Sequence, residues 1–334
     1  MTTGHQASGT TGLALAAVLL LAACGGGAEE AEAPPPVREI VNITGDLYRA
    51  QNDNHFTVFL VTGDGVILAD PINTDFATWL RDEIAARFDS TVRYVLYSHH
   101  HWDHASGGAV FADTATFVGH AAMADILGGL PENAAPLDAD GDGALSRDEA
   151  TGAFAANFDT FDRDGDGRLT GPDINADIHP PDTLFEDTMA VELGGSTVEL
   201  VHPGPVHSSD ATVILFPEER ALYVVDFINA RRLPGSLAPT TFLQYDEAIG
   251  AVAELDFDTL LPGHGDTGTA ASVTEYRQFI ADLHTAVLEG IDAGQSLEEV
   301  QASATLDQYA DWLLFDARRP TIVAEAYRVL TGAP

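Results

Sequence analysis

No lysine occurs in this chain. All 15 basic residues are arginine, they face 52 Asp and Glu, and the formal net charge is −37. A field of that sign repels a phosphate backbone and argues against sequence-independent nucleic-acid binding. Cysteine appears once, at Cys24, so neither an intrachain disulfide nor a cysteine-rich metal module can form. Long apolar runs are also missing. The longest, residues 13–23, has eleven apolar residues, well short of the roughly 20 that span a bilayer. No G-x-S-x-G stretch is present, which removes the usual serine-nucleophile turn. What is there is globular in composition: 334 residues, 45% hydrophobic and 20% charged, enough for one large domain or two smaller ones.

The apolar run ends in Leu21-Ala22-Ala23-Cys24. Its length is that of a signal peptide, and the tetrad resembles the lipobox of bacterial lipoproteins. That resemblance implies cleavage before Cys24, lipid attachment to it, and an exported body in the periplasm or at the cell surface, touching a membrane through the lipid anchor only. Residues 1–12 lack the basic residues usual in such leaders. Residues 25–40, rich in Gly, Glu and Ala and then in Pro, read as a linker.

The body alternates apolar strands and amphipathic helices. Residues 57–61 and 66–69 are β-type runs around a Gly63-Asp64-Gly65 turn, which predicts a hairpin. Phe76, Leu80, Ile84 and Phe88 recur at helical spacing and predict a helix over 75–88. Further strands are expected at 93–97, 116–118, 190–193, 197–201, 212–216, 222–225 and 260–261, and helices at 245–254, 271–291, 297–303 and 320–330. Such alternation implies a layered α/β fold.

The densest chemistry lies in Ser98-His99-His100-His101-Trp102-Asp103-His104, just past an expected strand end. On a tight loop alternate residues share a side, so His99 and His101 can meet one ion while Asp103 and His104 turn toward a second. Imidazole with carboxylate suits zinc, and also iron or manganese. His207 follows a Pro/Gly-rich turn, Asp226 closes the strand Leu222-Tyr223-Val224-Val225, His264 stands in Pro262-Gly263-His264-Gly265, and Asp70 ends an earlier strand.

In type and order these motifs resemble the metallo-β-lactamase superfamily. The resemblance implies a four-layer αββα sandwich. It assigns one metal, expected as zinc, to His99, His101 and His207, and a second to Asp103, His104 and His264, with Asp226 bridging. Asp70 supports the ligand loop. A metal-activated water would attack a carbonyl, with Asp103 as the catalytic residue that orients it and accepts its proton. His202 lies near His207, but Ser208 and Asp210 make His207 the better match. His100, Trp102, His55 and His120 receive no role beyond packing or hydrogen bonding, with pocket lining as the minor reading for His55. A metal-bridging Asp226, in place of the Cys or Ser of familiar dizinc β-lactamases, resembles the glyoxalase II, lactonase and thioesterase branches. The expected substrate is therefore a small-molecule ester, thioester, lactone or amide. A true β-lactamase is the alternative, and a non-catalytic calcium-dependent binding protein is the second.

A separate acidic pattern lies between the ligand motifs. Asp138, Asp140, Asp142, Ala144, Ser146 and Glu149 occupy the oxygen-donor positions of an EF-hand loop, with Gly143 at its sharp turn. Asp162, Asp164, Asp166, Arg168, Thr170 and Asp173 repeat the pattern with a shorter closing carboxylate. One helix over 150–161 is expected to join the loops, with Phe154, Phe158 and Phe161 as its core. Calcium is the implied ion. The pair reads as an insertion at 131–180 in a domain formed by 41–130 and 181–334. A constitutive calcium clamp is favoured there over a switch that gates substrate entry.

Overall fold

The computed structural model describes residues 35–131, 133–237 and 240–332. The expected signal segment, Cys24 and the linker up to residue 34 lie outside the described residues. Among those described, no helix is long and apolar enough to cross a membrane.

The chain opens with an antiparallel meander: β1 (Arg38–Thr44), β2 (Leu47–Asn52), β3 (His55–Thr62) and β4 (Gly65–Leu68). The Gly63-Asp64-Gly65 turn joins β3 to β4, as its sequence predicts. Asn73 then caps α1 (Thr74–Phe88), its side chain accepting from the Phe76 amide at 2.9 Å. β5 (Val92–Leu96) and β6 (Thr116–His120) add in parallel, with the single turn α2 (Trp102–Ala105) between them and α3 (Ala121–Gly128) after.

The acidic segment follows, with β7 (Leu145–Ser146) paired to β8 (Arg168–Leu169) and short helices α4 (Gly152–Ala156), α5 (Phe158–Phe161) and α6 (Gly171–Ile174). It has a core of its own, around Leu145, Phe154, Phe158, Leu169 and Ile174. β9 (Thr183–Phe185) completes a seven-stranded sheet in the order β1-β2-β3-β4-β5-β6-β9. The second sheet runs in chain order: β10 (Thr188–Leu193), β11 (Ser196–Val201), β12 (Val213–Phe216), β13 (Ala221–Val224), β14 (Thr259–Pro262) and β15 (Gly268–Thr269). α7 (Phe242–Ala253) connects β13 to β14, and α8 (Ala270–Asp292), α9 (Leu297–Ser303) and α10 (Phe315–Thr331) follow.

Strand periodicity sorts the side chains into three cores. In β3, Val58 and Leu60 point between the sheets with Ile67, Leu96, Leu200, Ile214 and Tyr223, while Phe59 points outward to Phe76, Leu80 and Ile84 of α1. On the far side, Leu222, Val224 and Leu260 pack against Tyr245, Ile249, Phe279 and Leu283 of α7 and α8. Helix, sheet, sheet, helix is the αββα sandwich. Each large apolar side chain sealed in this way is worth about 1.5–3 kcal/mol.

Three expectations need correction. β1 begins at Arg38, inside the stretch read as linker. The helix expected over 150–161 is broken at Asn157, whose side chain bonds the Ala153 carbonyl at 2.9 Å and whose backbone leaves the helical region. The helix expected from 320 starts five residues earlier, at Phe315, so that Pro320 sits inside α10.

Candidate metal centre

β4 and β5 end side by side, so Asp70 and Ser98 meet beneath the histidine loop. The fully buried Asp70 carboxylate accepts from the Ser98 amide at 2.8 Å, from Ser98 Oγ at 2.5 Å and from the Tyr223 hydroxyl at 3.0 Å. Because Ser98 Oγ spends its proton on Asp70, it must accept from His99 Nδ1, 3.0 Å away. That fixes the tautomer of His99 and leaves its Nε2 bare. His264 is set in the same way: Nδ1 donates to the Asn54 carbonyl at 2.8 Å. Arg49 holds that loop through the Pro262 and Gly265 carbonyls, at 2.8 and 2.7 Å.

The turn of α2 fixes His101 and His104, the amides of His104 and Ala105 both donating to the His101 carbonyl. It passes close beneath α1. Gly107 has φ +86°, and a Cβ there would lie 2.4 Å from the Asn73 carbonyl carbon. His207 and Asp226 each centre a three-residue turn. Ser208 N bonds Val206 O at 2.6 Å and Phe227 N bonds Val225 O at 2.9 Å, around φ of 62° and 66°. Turns of this kind are rare outside glycine and store about 1–3 kcal/mol each.

The result is two histidine groups around one carboxylate. His99, His101, His207 and Asp226 converge, as do His104, His264 and Asp226. Asp226 Oδ2 lies 3.6 Å from His99 Nε2, 3.3 Å from His207 Nε2 and 3.6 Å from His104 Nε2, while Oδ1 lies 3.2 Å from His264 Nε2. Ring nitrogens face each other at 2.9 Å (His207 to His101) and 3.1 Å (His104 to His264). His99 Nε2 is buried with no hydrogen-bond partner among the described residues. Lone pairs turned on one another around a shared carboxylate suit divalent cations and little else.

The electrostatics divide the donors: His99 and His101 are held neutral, whereas His104 is drawn toward its charged form by the carboxylates around it. Burial and the neighbouring imidazoles push His99 well below the usual histidine range and His101 down to about 4, so both stand neutral, as ligands must. Burial opposes charge on His104, but the carboxylates of Asp70, Asp226 and Asp103 outweigh it and raise its pKa to about 9. Burial likewise opposes ionisation of Asp226, which His207 and His264 nevertheless hold well below the carboxylate range.

Asp103 stands at the rim of the second group. Its Oδ2 is 3.7 Å from His104 Nε2 and 3.8 Å from His264 Nε2, and bonds His55 Nε2 at 3.2 Å. Burial opposes its ionisation, but the His55 bond and the nearby His104 together outweigh burial and lower Asp103 to about 2. His55 packs edge-on to His264 and lines the cavity, so the minor sequence reading is the one its position favours. His100 bonds the buried Asp210 at 2.9 Å, Trp102 Nε1 bonds Asn175 at 3.0 Å, and His120 stacks on His202, clear of the cluster.

A cavity of about 700 Å³ opens over Asp103, His207, Asp226 and His264. Its far wall holds Arg232 and Arg318, which sequence reading missed; Arg231-Arg232 and Arg318-Arg319, adjacent pairs in a chain with 15 cations, were the available signal. Burial and the nearby Arg318 lower the Arg232 pKa, and no carboxylate among the described residues forms an ion pair with it.

A profile of the Metallo-beta-lactamase superfamily matches residues 51–264. The chain belongs to that superfamily. Superfamily members commonly bind divalent metals, which fits the donor set above. The chain is 24% identical over 271 residues to 2,4-dinitroanisole O-demethylase subunit alpha of Nocardioides sp. (strain JS1661), a match covering 80% of this chain and 67% of that one. Two solved metallo-beta-lactamases share the fold. That from Pontibacter korlensis has TM-score 0.54 at 16% identity, covering 73% of this chain and 99% of its own. That from Hirschia baltica has TM-score 0.51 at 13% identity, covering 74% and 98%.

Proposed function

We propose that the chain is an exported, lipid-anchored dinuclear-metal hydrolase that cleaves a small-molecule ester, thioester, lactone or amide. The observation that carries this is Asp226, whose carboxylate lies 3.2–3.6 Å from ring nitrogens of both histidine groups. His99, His101 and His207 would hold one ion, and His104 and His264 with Asp103 the other. Zinc is the first expectation, with iron and manganese served by the same donors. Two bound divalent ions supply a water acidic enough to ionise near neutral pH and a Lewis acid for the carbonyl.

The protein does the rest. Asp103, ionised and hydrogen-bonded to His55, would orient the attacking water. Arg232 and Arg318 meet the anionic end of a substrate across the cavity, and Phe56, Leu313 and Leu314 give it an apolar wall. Calcium is proposed for the two acidic loops. Carboxylate oxygens of Asp138, Asp140 and Glu149 lie within 4.8 Å of one another, as do those of Asp162, Asp164 and Asp166. Export would keep such sites supplied with calcium.

The test is hydrolysis by the metal-loaded chain of nitrocefin, aryl esters, acyl thioesters and lactones. 2,4-Dinitroanisole belongs in the panel because a relative is named as its demethylase. Turnover above about 1 s⁻¹ on one class, lost in His101→Ala, supports the reading and names the substrate. Turnover of nitrocefin alone makes the chain a β-lactamase. A folded, metal-loaded protein that turns over none of them overturns the hydrolase.

A further inference from the structure

The second acidic loop lies close to the ligand loop in space, and the two are stitched together. Trp102, between the ligand-loop residues His101 and Asp103, donates its indole N–H to Asn175 Oδ1 at 3.0 Å. Asn175 is buried and caps the end of α6, the short helix leaving the Asp162 loop. The Gly107 amide donates to the Asp177 carbonyl at 2.9 Å, Ser106 pairs with Ile178, and Tyr97 reaches the His179 carbonyl at 2.7 Å. Asn175 Nδ2 also holds Leu127 O at 3.3 Å, so this junction ties the acidic segment to α3 as well.

The loop upstream is shaped for a hard cation. Asp162 is nine-tenths buried, yet its Oδ1 has no hydrogen-bond partner among the described residues. Oxygens of Asp162, Asp164 and Asp166 converge within 4.8 Å. Asp162 Oδ2 accepts from the Gly167 amide at 3.1 Å and lies 3.8 Å from the Arg147 guanidinium, so the bare Oδ1 beside two further carboxylates is the donor left for a hard cation. Asp173 does not join them. It turns back to the Thr170 amide and hydroxyl, at 2.9 and 2.5 Å, and so anchors the start of α6.

We propose that calcium at Asp162, Asp164 and Asp166 braces the transition-metal site through α6, Asn175 and Trp102. This rests on the calcium reading above and adds a route and a direction. Ordering residues 162–175 fixes Asn175, which fixes Trp102 and with it the spacing of His101 and Asp103. The coupling is reciprocal: a filled histidine site tightens calcium by the same factor. Of the bonds at this junction only Trp102–Asn175 starts from a side chain set between two ligand positions, and the worth of that one neutral bond makes the factor about three- to tenfold.

The test uses the full chain, stripped of metal and then titrated. Calcium stoichiometry is read by calorimetry, Trp102 by fluorescence, and zinc affinity by competition with a chromophoric chelator, with and without millimolar calcium. The wild type should bind calcium, change its fluorescence on binding, and hold zinc about three- to tenfold tighter with calcium. Asp164→Ala, at an exposed position, should lose one calcium and the zinc enhancement together. Trp102→Phe should keep calcium binding, checked by calorimetry, and lose both the fluorescence change and the enhancement. Wild-type calcium binding with zinc affinity unchanged overturns the brace and leaves the calcium reading standing. Absence of calcium binding overturns both. Enhancement that survives in Trp102→Phe refutes the route through Asn175.

Discussion

Replacing Asp70 by Asn tests whether the second layer of the site sets its chemistry. The change is nearly isosteric, but it swaps one acceptor oxygen for a donor. In the native protein Ser98 Oγ gives its proton to Asp70 Oδ2 at 2.5 Å and takes one from His99 Nδ1 at 3.0 Å. An amide nitrogen at position 70 would donate to Ser98 Oγ instead. The serine proton would then turn to His99 Nδ1 and force the imidazole proton onto Nε2, the atom facing Asp226. A ligand nitrogen carrying a proton cannot bind metal. Loss of an outer partner of this kind typically costs about 10–100-fold in metal affinity, roughly 1.4–2.8 kcal/mol.

Stability falls too, by an amount bounded by the bonds involved. Hydrogen bonds to a buried carboxylate contribute about 1.5–3 kcal/mol each. The amide oxygen can still accept from the Ser98 amide, and Tyr223 has a second acceptor in Phe56 O at 2.9 Å. The net loss is therefore about one such bond plus part of another, roughly 2–4 kcal/mol. Thermal unfolding of the metal-free chain reads that loss, and zinc competition reads the affinity. A variant that melts lower yet holds both ions as tightly as the wild type would refute the tautomer argument and reduce Asp70 to a structural prop.

Three further outcomes are expected. His55→Phe frees Asp103 without removing a proposed ligand, so kcat should fall about 10–100-fold, the worth of one charge-assisted hydrogen bond, with metal content by atomic emission unchanged. Arg232→Ala should raise KM about tenfold or more for a carboxylate-bearing substrate and leave its uncharged analogue alone; equal effects on both would place the arginine outside the anion contact. Gly107→Ala meets both the positive φ and the Asn73 carbonyl carbon, so it should destabilise the chain by at least about 1–2 kcal/mol in denaturant titration and weaken metal retention, whereas an unchanged midpoint would show that the ligand loop can move away from α1.

What the sequence made legible follows a physical division. The candidate metal donors stood out in the sequence because four of the twelve histidines cluster at 99–104 and each candidate stands just past an apolar strand or a turn rich in Pro and Gly. Topology then only had to bring those ends to one edge, as the parallel β4–β5 and β13–β14 pairs do. The β1–β2 hairpin was missed for the opposite reason. β1 is half exposed, and its alternation breaks at the irregularity between Asn42 and Thr44, so no apolar run marks it.

The residues that tune the donors were harder still. Ser98 is adjacent to His99 and its role could be inferred, but Trp102 finds Asn175 across 73 positions and His55 finds Asp103 across 48. Arg232 reaches the cavity where its backbone pairs with Leu313. Such partners are chosen by the packing of distant elements, and no local pattern encodes them. The strain is equally silent. His207 and Asp226 read as residues at the end of a turn and a strand, yet both hold positive φ within three-residue turns. The sheet-and-helix frame holds those turns against their backbone preference, so His207 and Asp226 are aimed by the packing around them and not by local sequence.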